Sequence, residues 1–241
     1  MELLRINWLT FMEKELFSRA DYYIDVHNGD WFEDLTPFIY SVGNAAPETV
    51  AKAEAMAREA DVPFYVKSGL SDGGAYNYAG RLGIPSVLIE RGCKGMWSEE
   101  EAEASRKDVR NILRYLGALI TPKEFKKYTP VYMRHTHYID SESEGCWTPL
   151  KNAGDVVRKG ELIGVLRDYF GNTIEEVRLQ EDCIILYQTI SYSVPKDSPL
   201  IAYGHYDTCV DEIDQDSHTH EHLQEKKHAD MVLHDLWEET C

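Results

Sequence analysis

An apolar, β-prone run from Tyr22 to Val26 stops at His27, and a polar turn through Asn28, Gly29 and Asp30 follows. A second run, Ile84-Pro-Ser-Val-Leu-Ile, stops at Glu90 and leads into Arg91-Gly-Cys-Lys-Gly95. Each is a hydrophobic body, one ionisable group and then a glycine turn. Open α/β sheets deliver ligands and catalytic groups in this way, at the carboxyl ends of buried parallel strands. A histidine ligand beside a carboxylate base suits metal-assisted hydrolysis: the metal acidifies a water molecule, and the carboxylate takes the proton and passes it to the leaving group. Asp25 precedes His27 by two positions, so on an extended strand it shares the histidine's face, or, where the chain bends, it acts as an outer-shell partner for the ring. The plainer alternatives are a buried histidine satisfied by a backbone carbonyl, and a Glu90 paired with Arg91 or Lys94.

The elements that must hold these residues alternate. Leu4, Trp8, Met12 and Leu16 predict an amphipathic helix over 3–19. The strand to His27 and a loop through Pro37 follow. Pro47 opens a helix with Val50, Ala53, Ala57 and Ala60 inside, and Val62–Val66 is a short strand. Ser68–Gly74 leads to a small helix ending near Gly83, and then comes the strand to Glu90. Ser98 and Glu101 read as a capping box for a helix striped by Val109, Ile112, Leu113 and Leu116. This is an α/β pattern with a mostly parallel sheet. After Pro130 short β runs take over, at Val131–Ile139, Gly145–Thr148, Glu161–Arg167, Thr173–Leu179, Ile184–Tyr192 and Leu200–Tyr203. The expected organisation is an α/β domain over 1–125, an all-β domain over 126–205 and an acidic, histidine-rich, flexible tail over 206–241.

Composition narrows the function classes. The net charge of −17 argues against a nucleic-acid partner. The tail holds 11 Asp/Glu against 2 Lys/Arg and so carries more than half of that charge. No apolar run is long enough to cross a membrane, and Met1–Trp8 lacks a basic signal-like start. Five dispersed cysteines without a CxxC pair favour free thiols and a cytoplasmic location.

Tyr23-Ile-Asp-Val-His-Asn-Gly-Asp30, with Leu35-Thr-Pro-Phe-Ile-Tyr40 and Ile84-Pro-Ser-Val-Leu-Ile-Glu-Arg-Gly92, resembles the succinylglutamate desuccinylase/aspartoacylase family. Asn111-Ile-Leu-Arg-Tyr-Leu-Gly117, Gly145-Cys-Trp-Thr-Pro149 and Gly154-Asp-Val-Val-Arg-Lys-Gly-Glu161 extend the likeness over roughly residues 10–204. The resemblance implies a zinc-carboxypeptidase-like α/β domain followed by a small β domain of barrel-sandwich type. It implies zinc-dependent hydrolysis of the amide of a small N-acyl amino acid, nearest to the branch that deacetylates N-acetyl-diaminobutyrate-like compounds. It makes His27 a zinc ligand and Glu90 the carboxylate that activates the zinc-bound water. The family's His-x-x-Glu zinc motif and an arginine-bearing substrate segment lie upstream of the His27 strand, and this chain is expected to lack both. A shortened product of a complete gene, or a non-catalytic binding or assembly subunit, are the two readings this leaves. An uncovered sheet edge would call for a partner chain, so a homo-oligomer is expected.

Other residues carry weaker signals. His218-Thr-His-Glu221 and His222-Leu-Gln-Glu225 repeat the His-x-x-Glu spacing in a tail poorly suited to a preorganised site. His135 and His137 share a strand face without a third ligand. Cys93 lies beside Arg91 and Lys94 without an evident base. Ser68–Gly74 offers backbone N–H groups but no P-loop lysine.

Overall fold

The computed structural model describes residues 10–69, 73–133 and 136–205. The expected helix is irregular where it is described. Met12–Leu16 winds as a π-helix and Phe17–Arg19 as a 3-10 turn. The wide winding shows at its end, where the Phe17 N–H reaches the carbonyls of both Glu13 and Met12. Phe17 is buried against Ala79 and Ile84, and its ring meets that of Tyr23 edge-on at 5.3 Å. Leu16 is turned outward, and Leu4, Trp8 and Leu9 lie outside the described residues.

The first sheet takes β1 (Tyr23–His27), β3 (Phe38–Ser41), β4 (Phe64–Lys67), β5 (Ser86–Glu90) and β6 (Val131–Met133) in the order β1-β5-β3-β4-β6. The β1/β5, β3/β4 and β4/β6 pairs are parallel, and β3/β5 is antiparallel. The mostly parallel α/β sheet expected from the sequence is therefore present. Helices α1 (Pro47–Ala57), α2 (Ala75–Arg81) and α3 (Glu99–Tyr115) connect or flank its strands. Strand alternation divides the apolar residues between two faces. Ile39, Tyr65, Val87 and Ile89 pack with Met56 and Ala57 of α1 and Ile112 of α3. Phe38, Phe64, Val66 and Met133 pack on the other side, with Ile184 and Leu186 from the β-rich half. At the start of α3 the Ser98 hydroxyl accepts the Glu101 N–H at 3.1 Å, as an N-cap should.

The β-rich half forms two further sheets. One runs β11 (Thr173–Arg178), β10 (Leu162–Arg167), β8 (Gly145–Pro149), β13 (Ser193–Val194). The other runs β2 (Glu33–Leu35), β12 (Cys183–Thr189), β14 (Pro199–Gly204), β7 (Thr136–Asp140), with β9 (Val156–Val157) also on β12. Trp147, Ile163, Leu166, Leu179, Ile185 and Leu200 are among the residues of its core. The turns at Asn152–Asp155 and Arg158–Glu161 close alike. In each the last carboxylate accepts the first backbone N–H, at 2.8 and 3.0 Å.

Two strands cross between the halves. β2, expected as part of a loop, pairs antiparallel with β12, Leu35 opposite Tyr187. β6, which begins the β-rich stretch, pairs instead with β4. Glu33-Asp-Leu35 shows no apolar alternation, so its strand character comes from a partner some 150 residues away. Phe38–Ser41, also outside the expected strands, fills the middle of the first sheet.

Candidate active site

The site is built at the carboxyl ends of β1 and β5. The parallel register places Asp25 opposite Leu88 and His27 opposite Glu90. With a period of two, Asp25, His27 and Glu90 fall on one face, the face that Phe38 and Tyr40 also occupy on β3. His27 Nδ1 stands 3.6 Å from Glu90 Oε1, and His27 Nε2 stands 3.4 Å from Asp25 Oδ1. The imidazole is half exposed while the two carboxylates are mostly covered. Held between them, the ring has its pKa raised from 6.5 to about 10, with Asp25 the larger cause and Glu90 the next. His27 is therefore neither buried nor satisfied by a carbonyl alone.

The alternative partners of Glu90 are occupied elsewhere. Arg91 Nε donates to Asp108 Oδ2 at 2.6 Å, and Lys94 Nζ meets Asp34 Oδ1 at 2.9 Å. Glu90 is left facing the histidine.

Two segments, residues 28–33 running into β2 and the loop 91–96, are zipped together beyond the pair. Gly29 N–H donates to Gly92 O at 3.3 Å, Gly95 N–H to Gly29 O at 2.9 Å and Lys94 N–H to Glu33 O at 2.7 Å. Gly92 takes φ +72° beside the Asn28 side chain, a conformation that favours glycine. Residues that sequence reading passed over complete the surroundings. Burial raises the Glu33 pKa, and the charges of Asp30 and Glu90 add to it. Tyr40 and Tyr138 join hydroxyl to hydroxyl at 3.1 Å, linking the first sheet to β7. Asp34 accepts Ala153 N–H at 3.2 Å and Gln188 Nε2 at 3.3 Å, which docks the Lys94 loop on the β-rich half. None of these has a local sequence signal. Asp108 did carry one, because it lies beside Asn111 and Ile112 on the buried side of α3.

Of the remaining candidates, Cys93 is a free, partly covered thiol on the 91–96 loop beside the site. Ser68 is a structural tie, donating to Asn77 Oδ1 at 2.6 Å and accepting Gly43 N–H at 3.1 Å. His137 is exposed on β7, its ring 5.5 Å from those of Tyr203 and His205. His135 and the tail motifs at His218 and His222 lie outside the described residues.

Among the described residues no group of three His, Cys, Asp or Glu side chains could hold a metal ion. His27 supplies one imidazole, so these residues alone do not fit a catalytic zinc, which needs three protein ligands. Also among them, no helix is long and apolar enough to cross a membrane.

Residues 3–116 match the model of the succinylglutamate desuccinylase/aspartoacylase catalytic domain, which bears out the resemblance read in the sequence over that stretch. No curated protein sequence matches the chain. Solved structures share the fold. The product-bound ectoine utilization protein EutE (DoeB) from Ruegeria pomeroyi is 21% identical, with a TM-score of 0.73 over 81% of this chain and 61% of that one. A succinylglutamate desuccinylase/aspartoacylase from Rhodobacter sphaeroides, also 21% identical, gives 0.71 over 82% and 63%. A succinylglutamate desuccinylase from Silicibacter sp. TM1040, 18% identical, gives 0.67 over 81% and 62%. The chain thus spans about six-tenths of the length of these relatives.

Proposed function

We propose that this chain carries part of the active site of a zinc-dependent deacylase that hydrolyses the amide bond of a small N-acyl amino acid. The observation that supports it most is the pairing of His27 with Glu90 at the ends of adjacent parallel strands, 3.6 Å apart. The family match over this same segment supports it further.

In this reading His27 would supply one zinc ligand, with the other donors coming from outside the described residues. A zinc completed in that way would polarise the acyl carbonyl and lower the pKa of water. Glu90 accepts a proton from the attacking water as its oxygen bonds to the acyl carbon. It returns that proton to the amide nitrogen as the C–N bond breaks, releasing a carboxylate and an amine. Asp25 holds the ring of His27 in place, as outer carboxylates do for metal-bound imidazoles. Burial of Glu90 on the Phe38 side keeps this carboxylate close to one orientation.

The test is zinc content per chain together with hydrolysis of a panel of N-acetyl and N-succinyl amino acids. Zinc lost in His27→Ala, and hydrolysis lost in Glu90→Gln with zinc retained, is the expected result. Unchanged hydrolysis in Glu90→Gln would remove the acid–base role. A wild-type chain with neither zinc nor hydrolysis would favour a binding or assembly subunit that keeps the fold.

A further inference from the structure

We infer that Arg91 is a positioning residue that holds the His27–Glu90 pair in register by tying the ends of β1 and β5 to a buried carboxylate of α3. The inference rests on the reading of that pair as the working groups of the site. Arg91 follows Glu90 directly, and neighbouring residues on an extended chain point to opposite sides. Glu90 therefore faces His27 while the Arg91 side chain runs to the α3 side.

There it meets a built receptor. Nε donates to Asp108 Oδ2 at 2.6 Å and Nη2 to the Asp61 carbonyl at 2.7 Å. Asp108 is fully buried, and its other oxygen accepts the Asp61 N–H at 2.6 Å. Asp61 is fixed in turn by the Tyr128 N–H at 2.7 Å and Lys107 Nζ at 2.7 Å. A planar guanidinium bonded in two directions fixes its own orientation, which an ammonium or a methyl group does not. The backbone of the same residue carries that rigidity to β1: Arg91 N–H donates to the His27 carbonyl at 3.4 Å. One residue thus grips α3 with its side chain and the end of β1 with its main chain, and Glu90 is the residue between β5 and that grip.

Two variants separate positioning from bulk stability. Arg91→Lys keeps the charge and loses the fork. Arg91→Met with Asp108→Asn removes the buried Arg91 and Asp108 charges together, the asparagine oxygen still accepts the Asp61 N–H, and the partly exposed Glu101 carboxylate, 3.6 Å from Arg91 Nη1, is released. Hydrogen exchange of individual amides and the imidazole 15N signals of His27 are read by NMR on the full chain. In Arg91→Met/Asp108→Asn, amides at 26–29 and 90–92 should exchange about tenfold faster, with those of β3 and β4 unchanged. The His27 signals should move toward those of a free histidine, and Arg91→Lys should fall between this variant and the wild type. Equal acceleration across the whole sheet would make Arg91 a plain stability element, and unchanged His27 signals would remove its link to the site. Either overturns the inference. Should the double variant not fold, the same readouts on Arg91→Lys decide. Absence of zinc-dependent hydrolysis in the wild type would sink the deacylase reading, whereas the exchange and imidazole data would still decide what Arg91 does.

Discussion

His27 and Glu90 are direct register partners on parallel strands, and Asp25 closes on the other nitrogen of the same imidazole. A ring with a carboxylate at each nitrogen is an imidazolium under ordinary conditions. Any metal that takes His27 must first displace that proton, so binding there releases a proton and strengthens as pH rises.

The His27 titration should therefore have its midpoint well above 6.5, near 10. Asp25→Asn should bring it down more than Glu90→Gln, because Asp25 is the larger cause. The folded pKa lies above the unfolded one, so the stability contributed is complete below about pH 6.5 and is lost as pH rises toward 10. NMR of the metal-free protein measures the midpoint. A wild-type midpoint at or below 6.5 would contradict the geometry.

Glu90→Gln should lower amide hydrolysis by about 100- to 10,000-fold, the range for loss of a general acid–base group. The fall should appear in kcat, because the amide keeps the shape of the carboxylate and loses only its basicity. Thermal unfolding run alongside should show the fold intact. A fall confined to KM would assign Glu90 to substrate binding instead.

The described cysteines should differ in reactivity. Burial pushes the Cys183 thiol up to about 12, with Asp182 and Glu181 adding to it, and Cys146 is also buried. Cys93 is partly open on the loop after Glu90. Iodoacetamide labelling followed by peptide mass spectrometry should modify Cys93 first and Cys183 last under native conditions. Labelling of Cys183 ahead of Cys93 would show that the β-rich core opens readily.

The working pair was legible because the signal is local. Tyr22–Val26 and Ile84–Ile89 are apolar runs that each end on one ionisable residue, and a parallel pairing aligns those ends. Glu33–Leu35 was not legible as a strand, because its hydrogen bonds go to β12 from the far end of the chain. The partner of Arg91 was legible only in part: Asp108 stands one helical turn before Ile112 on α3, but nothing local joins it to Arg91. Sequence proximity suggested Glu90, whereas the side chain runs on the α3 side to Asp108, seventeen residues on. The shift from Leu16 to Phe17 inside arises from the π winding, which an ideal 3.6-residue period does not anticipate.

The β-rich half offers a test independent of the chemistry. Gly164 on β10 lies against the indole of Trp147 on β8, and a Cβ there would sit well inside contact distance of three ring atoms. Trp147 is almost wholly buried among Ile163, Leu166, Val177 and Leu179, so the ring has nowhere to move. Gly164→Ala should thus act as overpacking and remove about 1–3 kcal/mol of stability. The usual gain from replacing a glycine by alanine, which stiffens the unfolded chain, is smaller than that. Urea unfolding followed by tryptophan fluorescence measures the loss. Trp147→Phe in the same background should recover part of it, since the smaller ring leaves room for the methyl group. A Gly164→Ala chain as stable as the wild type would mean that the Trp147 ring is not held where the packing places it.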